Sequence, residues 1–321
     1  MSETELPTMF DPQTLLDKGL CEVAKNRNVK SHHLYYELHG ARENVRERIL
    51  LIMGLNTTCF GWSRQVDYFG HQPGVQVLVF DNRGVGNSDL AKGLSKTSEM
   101  AKDAIELMDF IGWKAPKSVN VVGVSMGGMI TQHVSLFVPE RINSILLLST
   151  KTSDRPDLPP VKGLATFIRL IGFGAFMSGR RRTEIMVDSL FPSTYLDVKI
   201  PNDDPIPENR GKMRRQVVED DFLNRFEMAR KQPLQGTIAQ TAAAVGHRVS
   251  AEECKKISSQ IGKIMIVAGN QDQLINHMRS YDMLKLFAGS ELVMIEDAGH
   301  AIPYQLSAEL NSRKWISNAA P

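Results

Sequence analysis

Six runs rich in Ile, Val and Leu punctuate the chain, at residues 49–53, 75–80, 119–123, 145–149, 264–268 and 292–295. A strand with one wet face alternates apolar and polar residues. A strand covered on both faces does not, so these runs call for a sheet buried between two layers of helix. The stretches between them carry the helical period. Met100, Ala104, Ile105, Met108 and Ile111 fall on one face of a helix, with Ser98 placed to cap it and Glu99 favourable in its first turn. Residues 34–38 read as a further strand, half-buried. Strands alternating with helices give a mostly parallel sheet.

The alternation stops after Thr150 and resumes near Ile264. The stretch between opens on a proline-rich turn, RPDLPP, contains the polar segment PNDDPIPENRG, and otherwise has helical periodicity. Leu164, Phe167, Ile168, Ile171 and Ala175 share one helical face, and residues 227–245 form a second apolar-periodic stretch. The expected organisation is therefore a core in two parts, residues 1–150 and 263–321, with a helical cap inserted as residues 151–262. The cap has 18 Lys and Arg against 14 Asp and Glu, and the core 20 against 22. A net charge of only +2 argues against a nucleic-acid footprint, which needs a basic surplus on one face. Cys21, Cys59 and Cys254 form neither a C-x-x-C pair nor a closed disulfide set, which points to a reducing compartment and away from a cysteine zinc site. The acidic start MSETELPTMFDPQ lacks the basic and apolar regions of a signal peptide, and no run reaches the 18 apolar residues of a membrane span. A cytoplasmic protein is expected.

Chemistry enters at residues 123–128, Gly-Val-Ser-Met-Gly-Gly, which follow one apolar run and precede a helical pattern through Ile130, His133, Val134 and Phe137. G-x-S-x-G in that setting is a sharp strand-to-helix turn that lifts a serine, here Ser125, above the carboxyl edge of the sheet. A serine hydroxyl needs a base, and the base needs a carboxylate to hold its tautomer. Of eight histidines, His300 alone follows an apolar run to the same edge. His32 and His33 are adjacent and must face opposite ways on a strand. His39, His71, His133 and His277 read as loop or helix-surface residues, and His247 ends an apolar helix of the cap, where it would line a pocket or cap that helix. Asp272, in the turn Gly269-Asn270-Gln271-Asp272, reaches the edge one strand before His300. Asp297 is its rival, but lies so close to His300 in sequence that it is better placed to brace the loop. Two backbone N–H groups must face the developing oxyanion. Met126 supplies one by position, and Leu55, in the turn Gly54-Leu55-Asn56 after the first long run, supplies the other.

These pieces, MGLN (53–56), DNRGVGNSD (81–89), GVSMGG (123–128), GNQD (269–272) and DAGH (297–300), resemble in order and spacing the α/β-hydrolase fold superfamily, and within it the capped serine esterases similar to aclacinomycin methylesterases. The resemblance implies an α/β fold with an eight-stranded, mostly parallel sheet, helices on both faces and a helical cap after the sixth strand. It implies a covalent pathway: Ser125 attacks, His300 takes and returns the proton, Asp272 holds the imidazole, and water releases the acid. No cofactor and no metal are called for. The chain departs from many members in having Met53-Gly54 where they have His-Gly.

The DNRGVGNSD segment has neither G-x-G-x-x-G spacing nor a P-loop lysine, so it reads as a braced turn with Arg83 paired to acids rather than a phosphate loop. In the cap, Phe167, Ile171 and Phe176, with Ile168, Phe173, Met177 and the 238–245 helix, either roof an apolar acyl pocket or form the cap's own core. Arg180, Arg181 and Arg182 read as a solvated charge run. The expected function is hydrolysis of a carboxylic ester of small to medium, mostly apolar size. Lactone, thioester, amide or carbon–carbon bond hydrolysis and acyl transfer use the same scaffold and stay open. A ligand receptor with little turnover and a lipase docking through residues 164–177 are the rivals from other classes.

Overall fold

The structure, a computed structural model, describes residues 6–152 and 160–312, apart from 162, 164, 167, 168 and 170–176. Eight strands form one sheet: β1 (Leu15–Val23), β2 (His32–Gly40), β3 (Glu47–Ile52), β4 (Val75–Phe80), β5 (Val119–Val124), β6 (Ile142–Leu148), β7 (Lys263–Gly269) and β8 (Glu291–Ile295), in the order β1-β2-β4-β3-β5-β6-β7-β8. β1 and β2 are antiparallel to each other and β2 is antiparallel to β4; every later pairing is parallel. The α-helices described along their whole length are α1 (Ser63–Gly70), α2 (Thr97–Phe110), α3 (Met126–Phe137), α4 (Gly179–Leu190), α5 (Ser193–Leu196), α6 (Arg214–Met228), α7 (Leu234–Val245), α8 (Ala251–Gln260), α9 (Met278–Leu286), α10 (Ile302–Gln305) and α11 (Ser307–Asn311).

Five of the six apolar runs, those of β3 to β7, behave as a doubly covered sheet requires, whereas the run at 292–295 departs from the expectation: it is β8, an edge strand that is only half-buried. Successive residues of β3 point to opposite faces, so Leu50 and Ile52 pack with α2, α3, α8 and α9, while Ile49 and Leu51 pack with Phe60, Trp62, α1 and the C-terminal helices. Each such fully buried side chain contributes about 1.5–3 kcal/mol relative to exposure. β2 departs from the half-buried expectation: Leu34, Tyr35, Tyr36 and Glu37 are all buried, because helices cover this antiparallel strand too. β1, at the sheet edge, carries no apolar run: only Gly19, Cys21 and Val23 along it are buried, all on one face.

Two helix boundaries also differ from expectation. α2 starts one residue before Ser98, after Lys96, and no side chain caps it. Thr97 is buried there with its hydroxyl 3.0 Å from His247 Nδ1, which fixes the entry of the helix, while Glu99 does lie in the first turn. The 227–245 stretch is not one helix. α6 ends at Met228, the chain is extended at Ala229, and α7 begins after Pro233; a proline disfavours helix in the residue before it and cannot donate to one.

Between β6 and β7 the chain runs through α4 to α8. α4, α6 and Tyr304 share a small core of Val187, Phe191, Leu196, Val218 and Phe222. α8, started by a full capping box of Ser250 and Glu253, puts Cys254 and Ile257 into the core of the sheet. Arg180, Arg181 and Arg182 lie on the surface, the first paired with Asp220 at 3.1 Å and the second with Glu184 at 2.7 Å. Among the described residues no helix is long and apolar enough to cross a membrane.

Candidate active site

Ser125 stands between β5 and α3 with φ 57° and ψ −122°, a conformation that costs an L-residue of order 1–3 kcal/mol and persists only where its surroundings impose it. The surroundings do so. Its N–H donates to Leu148 O at 2.9 Å, and its carbonyl accepts from Gly128 N, Met129 N and the Thr150 hydroxyl. Gly123 and Gly127 let the turn close: a Cβ on Gly127 would lie 2.0 Å from Ile52 O, and one on Gly123 would lie 2.4 Å from Gly127 O. Within residues 119–135 only Ser125 is not buried.

At the ends of β7 and β8, two more of the expected residues meet. His300 Nδ1 is 2.7 Å from Asp272 Oδ2. The other carboxylate oxygen, Oδ1, accepts from Leu274 N at 2.8 Å and Ile275 N at 2.9 Å. Asp272 is thus fixed by its own turn and free to hold one imidazole nitrogen. Among the described residues, Nε2 of His300 has no hydrogen-bond partner. The His300 N–H donates to Leu190 O at the end of α4, at 2.8 Å. Asp297, with φ 53°, is exposed and braces its loop through Asn270, Gln271 and Gln305.

The turn after β3 abuts the serine: a Cβ on Gly54 would be 3.1 Å from Ser125 Cβ and 3.7 Å from its Oγ. Among the described residues the Leu55 N–H meets no acceptor, and the Met126 N–H, first in α3, belongs to the turn whose N–H groups a helix leaves free. Two residues between β6 and β7 that the sequence did not single out hold this turn. Gln240 of α7, fully buried, accepts from Asn56 N at 2.8 Å and donates to Arg83 O at 2.8 Å. Gln232 donates to Asn56 Oδ1 and to Gly84 O, each at 3.0 Å. A glutamine on a helix face whose other buried residues are Gly236, Ala239 and Ala243 was the available signal.

The DNRGVGNSD segment is the braced turn expected. Arg83 Nε donates to Asp103 Oδ2 at 2.6 Å, and Asp81 accepts from Cys59 N at 2.7 Å and Asn87 N at 2.8 Å. Complete burial pushes the Asp81 carboxyl up to about 6 despite those two bonds. Burial also works to raise Asp103, but bonds from His32 and Arg83 outweigh it and hold that carboxyl below the usual range.

The remaining histidines divide. His32 and His33 do face opposite ways, one to Asp103 and one to Asp89. His71 is exposed and His277 starts α9. His39 and His133 correct the expectation of loop or helix-surface sites. His39 lies within β2, fully buried beside Thr14 and Glu37, and His133 is buried where α3 meets the chain after α7. His247 is 1% exposed and edge-on to His133, at 5.3 Å between rings. Burial holds His133 down at about 4 and His247 well below the usual imidazole range. Of the expected pocket residues, Phe167, Ile171 and Phe176 lie outside the described residues.

Residues 47–305 match the family model described as the alpha/beta hydrolase fold. The chain is an α/β hydrolase. This hydrolase is similar to the putative carbamate hydrolase RutD of Azorhizobium caulinodans, 31% identical over 116 residues, which are 36% of this chain and 40% of the relative. It is similar to 3-oxoadipate enol-lactonase 2 of Acinetobacter baylyi, 30% identical over 105 residues, 33% of this chain and 38% of the relative. It therefore spans about two fifths of the length of the curated relatives it matches. Among solved structures, a thermophilic esterase from Thermogutta terrifontis superposes with a TM-score of 0.67 at 19% identity, over 92% of this chain and 97% of the other. That last likeness is one of fold.

Proposed function

We propose that this hydrolase cleaves a carboxylic ester of a small to medium, mostly apolar substrate through Ser125, His300 and Asp272. The observation that carries the reading is the pair formed by His300 and Asp272, with Nε2 unbonded at the sheet edge that also bears the strained, accessible Ser125. In this mechanism Ser125 Oγ attacks the acyl carbon as its proton passes to His300 Nε2. Negative charge on the acyl oxygen is met by the N–H groups of Leu55 and Met126. The imidazolium then protonates the departing alkoxide, leaving an acyl-enzyme. Water, deprotonated by the same imidazole, releases the acid and restores Ser125. Asp272 keeps the imidazole in the tautomer whose Nε2 accepts a proton. Neither a metal nor a cofactor enters this scheme.

Residues 151–262 serve as the cap and set substrate choice, with α8 packed into the core layer. Three buried, free cysteines suit the reducing cytoplasm. Relatives named carbamate hydrolase and enol-lactonase make the leaving group the open variable. The deciding experiment is Ser125→Ala assayed on p-nitrophenyl esters of rising chain length beside lactones and amides. A loss of turnover of roughly 10⁶-fold is expected with the circular dichroism unchanged. Unchanged turnover would overturn the reading. Labelling of Ser125 by a fluorophosphonate separates an enzyme from a receptor, because only an activated serine reacts quickly.

A further inference from the structure

A groove of about 320 Å³ opens between α6 and the start of α1. Neither Ser125, Asp272 nor His300 lines it, so it is separate from the site above and independent of the ester reading. Its charges do not balance. Asp220 is taken by Arg180 at 3.1 Å and Asp221 by Arg225 at 2.7 Å, while Arg64 and Lys212, on the same walls, have no carboxylate partner among the described residues.

The third cation of the groove is built in. Arg225 is 6% exposed, and its guanidinium lies 5.2 Å from the ring centroids of both Phe222 and Tyr304. Nη2 donates to Asp221 and, at 3.2 Å, to the Ser63 hydroxyl, but Nε is buried without an acceptor among the described residues. A buried charged donor left unsatisfied costs more than the roughly 1–3 kcal/mol of a neutral one, so a native site keeps it only with a reason. On the opposite side, Arg64 is stacked 3.9 Å from the centroid of Tyr304. The tyrosine ring thus holds two guanidiniums in fixed planes, which lowers the entropy a ligand must overcome.

We propose that this groove binds a small dianion, either a dicarboxylate or a phosphate. Guanidinium groups present planar forks that match carboxylate and phosphate oxygens in pairs, and Lys212 adds a point charge at the rim. The two unpaired cations set the charge of the ligand at two. The volume, near the lower end for small-molecule sites, sets its size at a few carbons.

Isothermal titration of the full chain with succinate, inorganic phosphate and, as the uncharged control, succinamide tests this without reference to turnover. Binding of at least one dianion and none of succinamide is expected, and which dianion binds names the source. Arg64 and Lys212 are exposed, so Arg64→Ala/Lys212→Ala should keep the melting temperature and weaken binding by about tenfold or more. Arg225→Lys, which keeps charge but loses the fork, should weaken it as well. Rising salt should lower the affinity. Failure of both dianions to bind at about ten millimolar, or undiminished binding by the double variant, overturns the proposal.

Discussion

Both oxygens of Asp272 are in use, one on the imidazole of His300 and one on the N–H groups of Leu274 and Ile275. The second set of bonds belongs to the turn itself and survives whichever way the first is altered. That makes Asp272→Asn an informative substitution. The amide keeps an acceptor for the turn and turns its NH₂ toward Nδ1, which then has to accept, so the proton moves to Nε2 and the base is in the wrong tautomer. A fall in kcat of about 10³–10⁴ is expected on any ester the parent cleaves, with little change in KM. The melting temperature should move by only a few degrees. A variant that retains more than a tenth of parental kcat would remove Asp272 from the mechanism. Asp297, exposed and tied to its own loop, should tolerate the same change, and the comparison separates the two carboxylates that the sequence left as rivals.

At the level of elements, the junction between α3 and the chain leaving α7 stores a pH dependence. His133 and His247 are packed against each other with Glu253 facing the first and Lys151 and Arg248 facing the second. The His133 imidazole is held down from 6.5 to about 4 by burial. Below pH 6.5 the unfolded chain therefore binds a proton that the native state refuses. The stability this group provides is full above that pH and is lost as pH falls toward 4. At pH 5 the loss from His133 alone is about 2 kcal/mol, and His247 adds in the same direction. Urea denaturation at pH 7 and pH 5 measures it, and His133→Gln should flatten the difference; an equal pH dependence in that variant would refute the assignment. The sequence did not disclose this junction, because burial of His133 depends on α8 and the segment before it, more than a hundred residues away. The same distinction runs through the fold. β3 to β7 were legible, since a strand covered on both faces writes its burial in unbroken apolar residues, and β8, the other edge strand, carries an apolar run although it is only half-buried. β1 was not, because only one of its faces is buried and its sequence is mixed. The placing of Ser125, Asp272 and His300 at one sheet edge was legible because each closes a strand there, whereas Gln240 meets Asn56 and Arg83 through a contact that only the folded chain creates.

In the molecule as a whole, the segment between β6 and β7 meets the loop that carries His300. Leu190 O, the last carbonyl of α4, accepts from His300 N at 2.8 Å and Ala301 N at 3.3 Å. Phe191 follows it, 1% exposed, with its ring 5.5 Å from both Tyr195 and Tyr304 and 5.8 Å from Phe222. Tyr304 is four residues from His300 in sequence, so one aromatic cluster joins α4, α6 and the histidine loop. On the proposed function, the segment between β6 and β7 would support the base as well as cover the substrate. Phe191→Ala removes the centre of that cluster and should cost about 3–5 kcal/mol of stability. If the cluster only stabilised the cap, kcat on a small ester that barely touches the cap would be unaffected once the protein is folded. If it holds the histidine loop, kcat falls by ten- to a hundredfold at a temperature well below the new melting point, and the amides of His300 and Ala301 exchange faster with solvent. Phe191→Leu, which refills most of the volume, should restore both readouts together. Unchanged kcat with unchanged exchange at those two amides would show that the base is positioned by Asp272 and its own loop alone.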